Sequence, residues 1–230
     1  MQCVILAAGM GTRLRPLTDD KPKQLVLVNG KTLIDHIAAV LPSAVDEIIF
    51  VVGYKGDMIK EYCGKEFHGR KVTYLTQEAP TGTAHALWLC KDLLKGRFLF
   101  MFGDDIHGAS DIARAASYSR SLLIAQVESP EKFGIVVRNP DGTLAEMIEK
   151  PEHAPSNYAS TGAMVLDSHI FEFEPLTPTK GEFYLTEVIA RYAKKYPIAL
   201  VEQKSWIPIG YPEDITKAEK ILNAKSEVNI

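Results

Sequence analysis

The sequence predicts an α/β protein: a Rossmann-like mixed, mostly parallel sheet with helices on both faces, joined by a smaller, partly antiparallel subregion. Three observations predict it. Short runs apolar on both faces, 3–8, 48–52 and 98–102, stop at Gly9, Gly53 and Gly103, which is how strands buried on both sides read. Helical spacings lie between those runs, and strand, helix, strand in that rhythm stacks helices on a parallel sheet. Beyond about residue 120 the pattern changes to short strands joined by turns.

In order along the chain, 3–8 is the first strand. Leu33, Ile34, Ile37, Ala38 and Leu41 give the first helix face, and 48–52 the second strand. Met58, Ile59, Tyr62 and Cys63 mark a second helix, 72–75 a short strand, 84–94 a third helix and 98–102 a central strand. Strand-like pieces follow at 122–127, 135–137, 144–148 and 163–166, with turn chemistry in Asn139-Pro140-Asp141-Gly142. Helices at 185–196 and 212–223 close the chain, the latter with Ile215, Ala218, Ile221 and Leu222 on one face. With no repeat or long linker, residues 1–230 read as one domain in two parts, about 1–120 and 121–230. Ligands of such sheets bind beyond the carboxyl ends of the strands, where the Gly9 loop and the Gly103-Asp104 turn both fall.

Composition narrows the function. Hydrophobic residues make up 46% and charged residues 24% of the 230, a globular balance that excludes wholesale disorder. A formal net charge of −3 argues against a nucleic-acid surface, which carries a basic excess. Cys3, Cys63 and Cys90 lack metal-site spacing, which points to a reducing, cytoplasmic compartment. No apolar stretch reaches the ~20 residues of a membrane span, and Gly9 comes too early for a signal peptide.

The chemistry concentrates in the first 24 residues. After the first strand comes Gly9-Met10-Gly11-Thr12-Arg13-Leu14-Arg15-Pro16, then Lys21-Pro22-Lys23. Two glycines two residues apart let backbone N–H groups approach phosphate oxygens, and Arg13 and Lys23 add fixed positive charge suited to a transferring phosphoryl group. A dinucleotide fingerprint fails at Leu14, and the Walker A spacing is absent. The string from Leu6 through Ala8, Gly9, Gly11, Thr12, Arg13 and Pro16, with Pro22-Lys23 downstream, resembles the signature of the sugar-1-phosphate nucleotidylyltransferases, the NDP-sugar pyrophosphorylases.

Five further strings match that family in order. Gln77-Glu78-x-Pro80-x-Gly82-Thr83-Ala84 is similar to the loop that reads the base, a task suited to the donor and acceptor of Gln77. For Phe102-Gly103-Asp104-Asp105 the resemblance implies Asp104 as the Mg²⁺ ligand, which suits a cation that takes one or two carboxylates and keeps substrate oxygens and waters; Asp105 turns outward or hydrogen-bonds the turn. Phe133-Gly134-Ile135 and Glu149-Lys150-Pro151 imply a glycine under the sugar ring, a Glu on sugar hydroxyls and a Lys on the sugar phosphate. The string 156–162 is similar to the thymidylyltransferase and uridylyltransferase branch, with Thr161 and Gly162 facing the sugar and Lys180 near its phosphate. The 121–230 part is thereby read as the sugar-phosphate-binding half. The histidines, His36, His85 and His107 among them, lack metal spacing and read as surface or helix residues.

The resemblance implies transfer of a nucleotidyl group from an NTP, dTTP or UTP, to a sugar 1-phosphate such as glucose 1-phosphate, with NTP and sugar 1-phosphate as partners, no nucleic acid or membrane, and a homo-oligomer left open. Arg13 and Lys23 are the catalytic pair by this reading; Leu6, Ala8, Gly9, Gly11, Thr12, Gln77, Gly82 and Thr83 bind nucleotide. One departure stands out. The family's second metal aspartate falls where this chain has Pro208, in Trp206-Ile207-Pro208-Ile209-Gly210. Asp104 with phosphates and water, or a nearby acid such as Glu182 or Asp214, then remains for the metal. A mannose-1-phosphate guanylyltransferase and a nucleotide-sugar-binding protein of low turnover are the alternative readings. A cytidylyltransferase of non-sugar phosphates and a nicotinamide oxidoreductase fit the strings less well. The chain ends before the C-terminal left-handed β-helix that the family often carries.

Overall fold

The computed structural model describes every residue except 177, 179, 180, 229 and 230. The chain opens with β1 (Gln2–Ala7); a small hairpin, β2 (Leu27–Val28) and β3 (Lys31–Thr32), feeds α1 (Leu33–Ala39). β4 (Glu47–Val52), α2 (Gly56–Cys63), the hairpin of β5 (Glu66–Phe67) with β6 (Arg70–Thr76), and α3 (Thr83–Trp88) follow. β7 (Arg97–Phe102) leads through β8 (Asp105–His107) into α4 (Ala109–Ala116). The second half holds β9 (Ser121–Gln126), β10 (Gly134–Arg138), β11 (Leu144–Glu149), β12 (Tyr158–Asp167), α5 (Leu185–Lys195), β13 (Ala199–Glu202), β14 (Trp206–Pro208) and α6 (Pro212–Val228).

β1 pairs in parallel with β4 on one side and β7 on the other, and β6 continues the parallel set beyond β4. The turns after β1, β4, β6 and β7 therefore share one edge of the sheet. β12 joins β7 antiparallel, with Ala163 opposite Met101, so the residues just before Ala163 reach that same edge. The remaining strands curl: β12 pairs with β10 and β9, β9 with β13, β10 with β11, and a bridge from Thr143 to Ala199 links the start of β11 back to β13. That curl is the partly antiparallel subregion.

Alternation along the central strands divides the core. Cys3, Ile5 and Phe50 pack with Ile34, Ile37, Ile59 and Ile112 of α1, α2 and α4 on one face. Val4, Ile49, Phe98 and Phe100 pack with Leu87 of α3 and Val188, Ile189 and Tyr192 of α5 on the other. Each such aromatic or branched side chain stabilises the fold by about 1.5–3 kcal/mol through burial. α1 starts cleanly because Thr32 and Asp35 form a reciprocal capping box. A third, small cluster of Leu14, Val28, Leu33, Ile106, Ile207, Ile209 and Ala218 lies under α6. Among the described residues, no helix is long and apolar enough to cross a membrane. The three cysteines are buried and unpaired, and burial pushes the thiols of Cys63 and Cys90 up to about 12.

Two differences from the sequence reading have local causes. The third helix stops at Trp88 instead of reaching 94, because the bonds tighten: Cys90 N–H donates to Leu87 and Lys91 N–H to Trp88, three residues back. The apolar residues after it wrap as turns. α4, β8, β13 and β14 leave no signal in the sequence reading; α4 holds four alanines and one large apolar residue, and the strands have only three or four residues, β14 with a proline.

Candidate active site

The opening loop leaves β1 at the shared edge. Gly11 sits in the left-handed region (φ 63), and a 3-10 turn, Thr12–Leu14, follows. Among the described residues, the amide N–H groups of Gly9, Met10, Gly11, Thr12 and Arg13 donate to nothing. Five consecutive free donors on an exposed loop make an anion-binding concavity. Leu6 and Ala8 serve through their carbonyls, which accept from Gly103 N–H at 2.9 Å and Tyr54 N–H at 3.3 Å and lock the ends of β7 and β4 against the loop. Lys23 is buried, with Nζ 2.9 Å from Oδ2 of Asp104. Arg13 is exposed, its guanidinium over the ring of Tyr211. Gln24, absent from the sequence reading, is buried beside Gly103, and its Oε1 has no partner among the described residues. A stranded buried acceptor is costly and invites a ligand donor; its place next to Lys23 was the available signal.

Gln77 follows β6, its backbone N–H bonded to Val52 O. Its Nε2 donates to Gly82 O at 3.0 Å and Thr81 Oγ1 at 3.3 Å; Oε1 accepts nothing among the described residues. Gly82 is required by contact: a Cβ there would lie 2.4 Å from Phe183 O. Thr83 Oγ1 accepts from Leu185 N–H at 2.9 Å, so both residues bind this loop to the start of α5.

Asp105 does not turn outward. Oδ2 accepts from Trp206 Nε1–H at 2.9 Å and Oδ1 from Ile209 N–H at 3.4 Å. It stands opposite Pro208 in the β8–β14 ladder. Burial first, and the charge of Asp104 second, push its carboxyl up to about 7. His107 is a buried strand residue instead of a surface or helix one. Its Nδ1 meets Gln203 Nε2 at 2.9 Å, its Nε2 has no partner among the described residues, and burial holds it down to about 4. Asp214 is committed elsewhere: its Oδ2 accepts from Gly210 and Tyr211 N–H at 2.9 and 2.8 Å. No cluster of three metal-binding side chains exists among the described residues. Asp104 Oδ1, free of hydrogen bonds there, fits a hard cation that takes most of its shell from substrate oxygens and water.

On the other flank, Gly134 faces Glu149 across β10–β11. Glu149 Oε2 accepts from Thr186 Oγ1 at 2.6 Å, and its Oε1 lies 3.4 Å from Lys150 Nζ. Lys150 has a left-handed backbone (φ 42), as do Asn29, Lys55 and His68, a conformation uncommon outside glycine. Its N–H is tied to Phe133 O at 3.0 Å, and its ammonium is 5.9 Å from the Tyr184 ring centroid. Thr161 is fully engaged in the fold, buried with its hydroxyl on Leu123 O at 3.1 Å. Gly162 (φ 76) lies against Phe102. Lys180 lies outside the described residues.

A parallel sheet whose carboxyl edge carries free amides, a buried lysine and an accessible carboxylate belongs to the class of α/β proteins that take phosphate groups at that edge. The profile of the nucleotidyl transferase family matches residues 2–225, and the chain belongs to that family: it is a nucleotidyltransferase. It is 36% identical to the UTP–glucose-1-phosphate uridylyltransferase AglF of Haloferax volcanii, covering 98% of both chains. It is 33% identical to the bifunctional protein GlmU of Methanocaldococcus jannaschii, all of this chain matching 56% of that one. It therefore spans nearly the whole of one relative and about half of the other. A Bacillus anthracis protein assigned as a glucose-1-phosphate thymidylyltransferase, solved with sucrose, superposes with a TM-score of 0.86 at 27% identity, over 96% of this chain and 94% of that one.

Proposed function

We propose that this nucleotidyltransferase joins UTP or dTTP to glucose 1-phosphate or a close relative, forming an NDP-sugar and pyrophosphate. The observation that carries it is the run of five amides, Gly9 to Arg13, unpaired among the described residues, with the Arg13 and Lys23 side chains beside it. Kinship with a uridylyltransferase over 98% of both chains supports the pyrimidine and the sugar. So does Gln77, whose free Oε1 is an acceptor for the N3–H of uracil or thymine. Within one domain, residues of about 1–120 hold the nucleotide and those of about 121–230 the sugar phosphate. We place it in the cytoplasm.

An oxygen of the sugar phosphate attacks the α-phosphorus in line; that P–O bond forms as the bond to the bridging oxygen breaks and pyrophosphate leaves. The nucleophile is already anionic, so no general base is required, and the chain's contribution is position and charge. The amides of Gly9 to Arg13 hold the phosphates and the Arg13 guanidinium meets the departing pyrophosphate. Lys23 turns from Asp104 toward the α-phosphate region. Lys150 holds the incoming phosphate, and Glu149, fixed by Thr186, accepts from sugar hydroxyls. Mg²⁺ on Asp104 supplies further positive charge at the triphosphate when bound. The test is a matrix of NTPs against sugar 1-phosphates scored by pyrophosphate release. UTP or dTTP with glucose 1-phosphate should lead; preference for GTP or ATP, or no turnover in any cell of the matrix, overturns the reading.

A further inference from the structure

Arg13 is the charge on which the departing pyrophosphate depends, yet among the described residues it has no carboxylate partner. Its neighbour Arg15, by contrast, pairs with Asp19 at 3.3 Å. What Arg13 meets is an aromatic face: its guanidinium carbon is 5.5 Å from the ring centroid of Tyr211. Both sides of that contact are anchored. Leu14, next to Arg13, is buried in the same small cluster as Ile209 and Ala218. The N–H groups of Gly210 and Tyr211 both donate to Asp214 Oδ2, at 2.9 and 2.8 Å, which fixes the turn that starts α6. The backbone that carries the Tyr211 ring is thus fixed, the ring itself standing at the surface, and the loop that carries Arg13 is pinned beside it through a shared core.

We infer that Tyr211 is a positioning residue for Arg13: its ring holds the guanidinium at the mouth of the amide loop before substrate arrives. A guanidinium over an aromatic face keeps its in-plane N–H donors free for phosphate oxygens while losing rotamer freedom in advance. The inference deepens the transferase reading and rests on it. It also gives the start of α6, remote in sequence from the opening loop, a part in the chemical step.

The experiment compares steady-state kinetics of Tyr211→Ala and Tyr211→Phe, and of Tyr211→Ala in an Arg13→Gln background. Tyr211→Ala should lower kcat about two- to fivefold, the worth of an exposed cation–π contact, with a smaller change in KM for the NTP. Tyr211→Phe should keep the wild-type kcat, and Tyr211→Ala should cost nothing further once Arg13 is Gln. In parallel, the Arg13 Nε–H resonance should carry a ring-current shift in wild type and Tyr211→Phe and lose it in Tyr211→Ala. An unchanged kcat in Tyr211→Ala, an equal loss in the Arg13→Gln background, or an Arg13 resonance indifferent to residue 211 would each overturn the inference. A wild-type chain that releases no pyrophosphate condemns the transferase reading instead, and the resonance still decides whether the ring holds the guanidinium.

Discussion

Replacing Gly162 by Ala separates a packing role from a sugar-binding one. A Cβ at this position would lie 2.4 Å from Cδ2 and 3.0 Å from Cγ of Phe102. Phe100 sits edge-on to Phe102 at 5.6 Å, so a retreat of the partly buried Phe102 ring disturbs that contact. The backbone at Gly162 has φ 76, in the irregular stretch of β12 where the register with β9 shifts. The left-handed conformation costs an alanine about 1 kcal/mol, and overpacking adds about 1–3 kcal/mol. A loss of about 3 kcal/mol follows, or roughly 6–12 °C in Tm for a chain of this size. Gly142→Ala is the control, since Gly142 has φ 86 with nothing within 4 Å of its added Cβ, leaving only the conformational cost of about 1 kcal/mol. Urea and thermal denaturation of the two variants read the difference. Equal losses, or a Gly162→Ala chain of normal stability whose only defect is a raised KM for sugar 1-phosphate, would refute the reasoning and return Gly162 to the sugar.

Arg13→Ala should lower kcat by about ten- to a hundredfold, the worth of a charge-assisted hydrogen bond, with KM for sugar 1-phosphate little changed. Lys150→Ala should do the reverse and raise that KM; steady-state kinetics with each substrate varied distinguishes them. Asp104→Asn should remove most activity, because the accessible oxygen beside Lys23 loses its charge; turnover surviving at ordinary Mg²⁺ concentrations would assign the metal to another acid. Asp105 titrates near 7 in the folded chain and near 3.9 when unfolded, so its contribution to stability is fully present below about 3.9 and is lost as pH rises through 7. Urea denaturation across that window should show a falling stability that Asp105→Asn flattens; parallel curves would contradict it.

Both halves of the fold were legible because their signals are strong and local. Runs such as Ile48-Ile49-Phe50-Val51-Val52, apolar on both faces, leave few readings besides a buried strand, and the turn chemistry near Asn139 marks the change to hairpins. What escaped was held together by tertiary contact. β14 is three residues ending in a proline and exists because β8 supplies its ladder; β13 borrows its register from β9. The opening loop and Lys23 could be singled out because charge beside glycine after a strand is a readable pattern, whereas Asp104 was singled out by the family resemblance of its string. The engagement of Thr161 and Thr83 could not, because a hydroxyl gives no sign in sequence of which distant backbone group it will meet. Gln24 was hidden differently: its significance comes from an acceptor left bare by burial, a property of surroundings and not of residue type.

Those surroundings also recast the departure at Pro208. A proline there removes one carboxylate from the sequence pattern, and Glu182 and Asp214 are the acids that the sequence reading offers as replacements. Asp214 is occupied with two backbone N–H groups at the start of α6. The residue that faces Pro208 across the ladder is Asp105, and partners in an antiparallel pair project to the same side of the ribbon. The acid missing from one strand therefore has a counterpart on the other, one residue from Asp104. It is gripped by Trp206, which itself stacks edge-on with Phe133 at 5.7 Å. Phe133 in turn accepts from the N–H of Lys150. Asp105, Trp206 and Phe133 thus make a continuous packed connection between Asp104 at the end of β7 and Lys150 just after β11, and the face that Pro208 leaves without a carboxylate still meets one across the ladder.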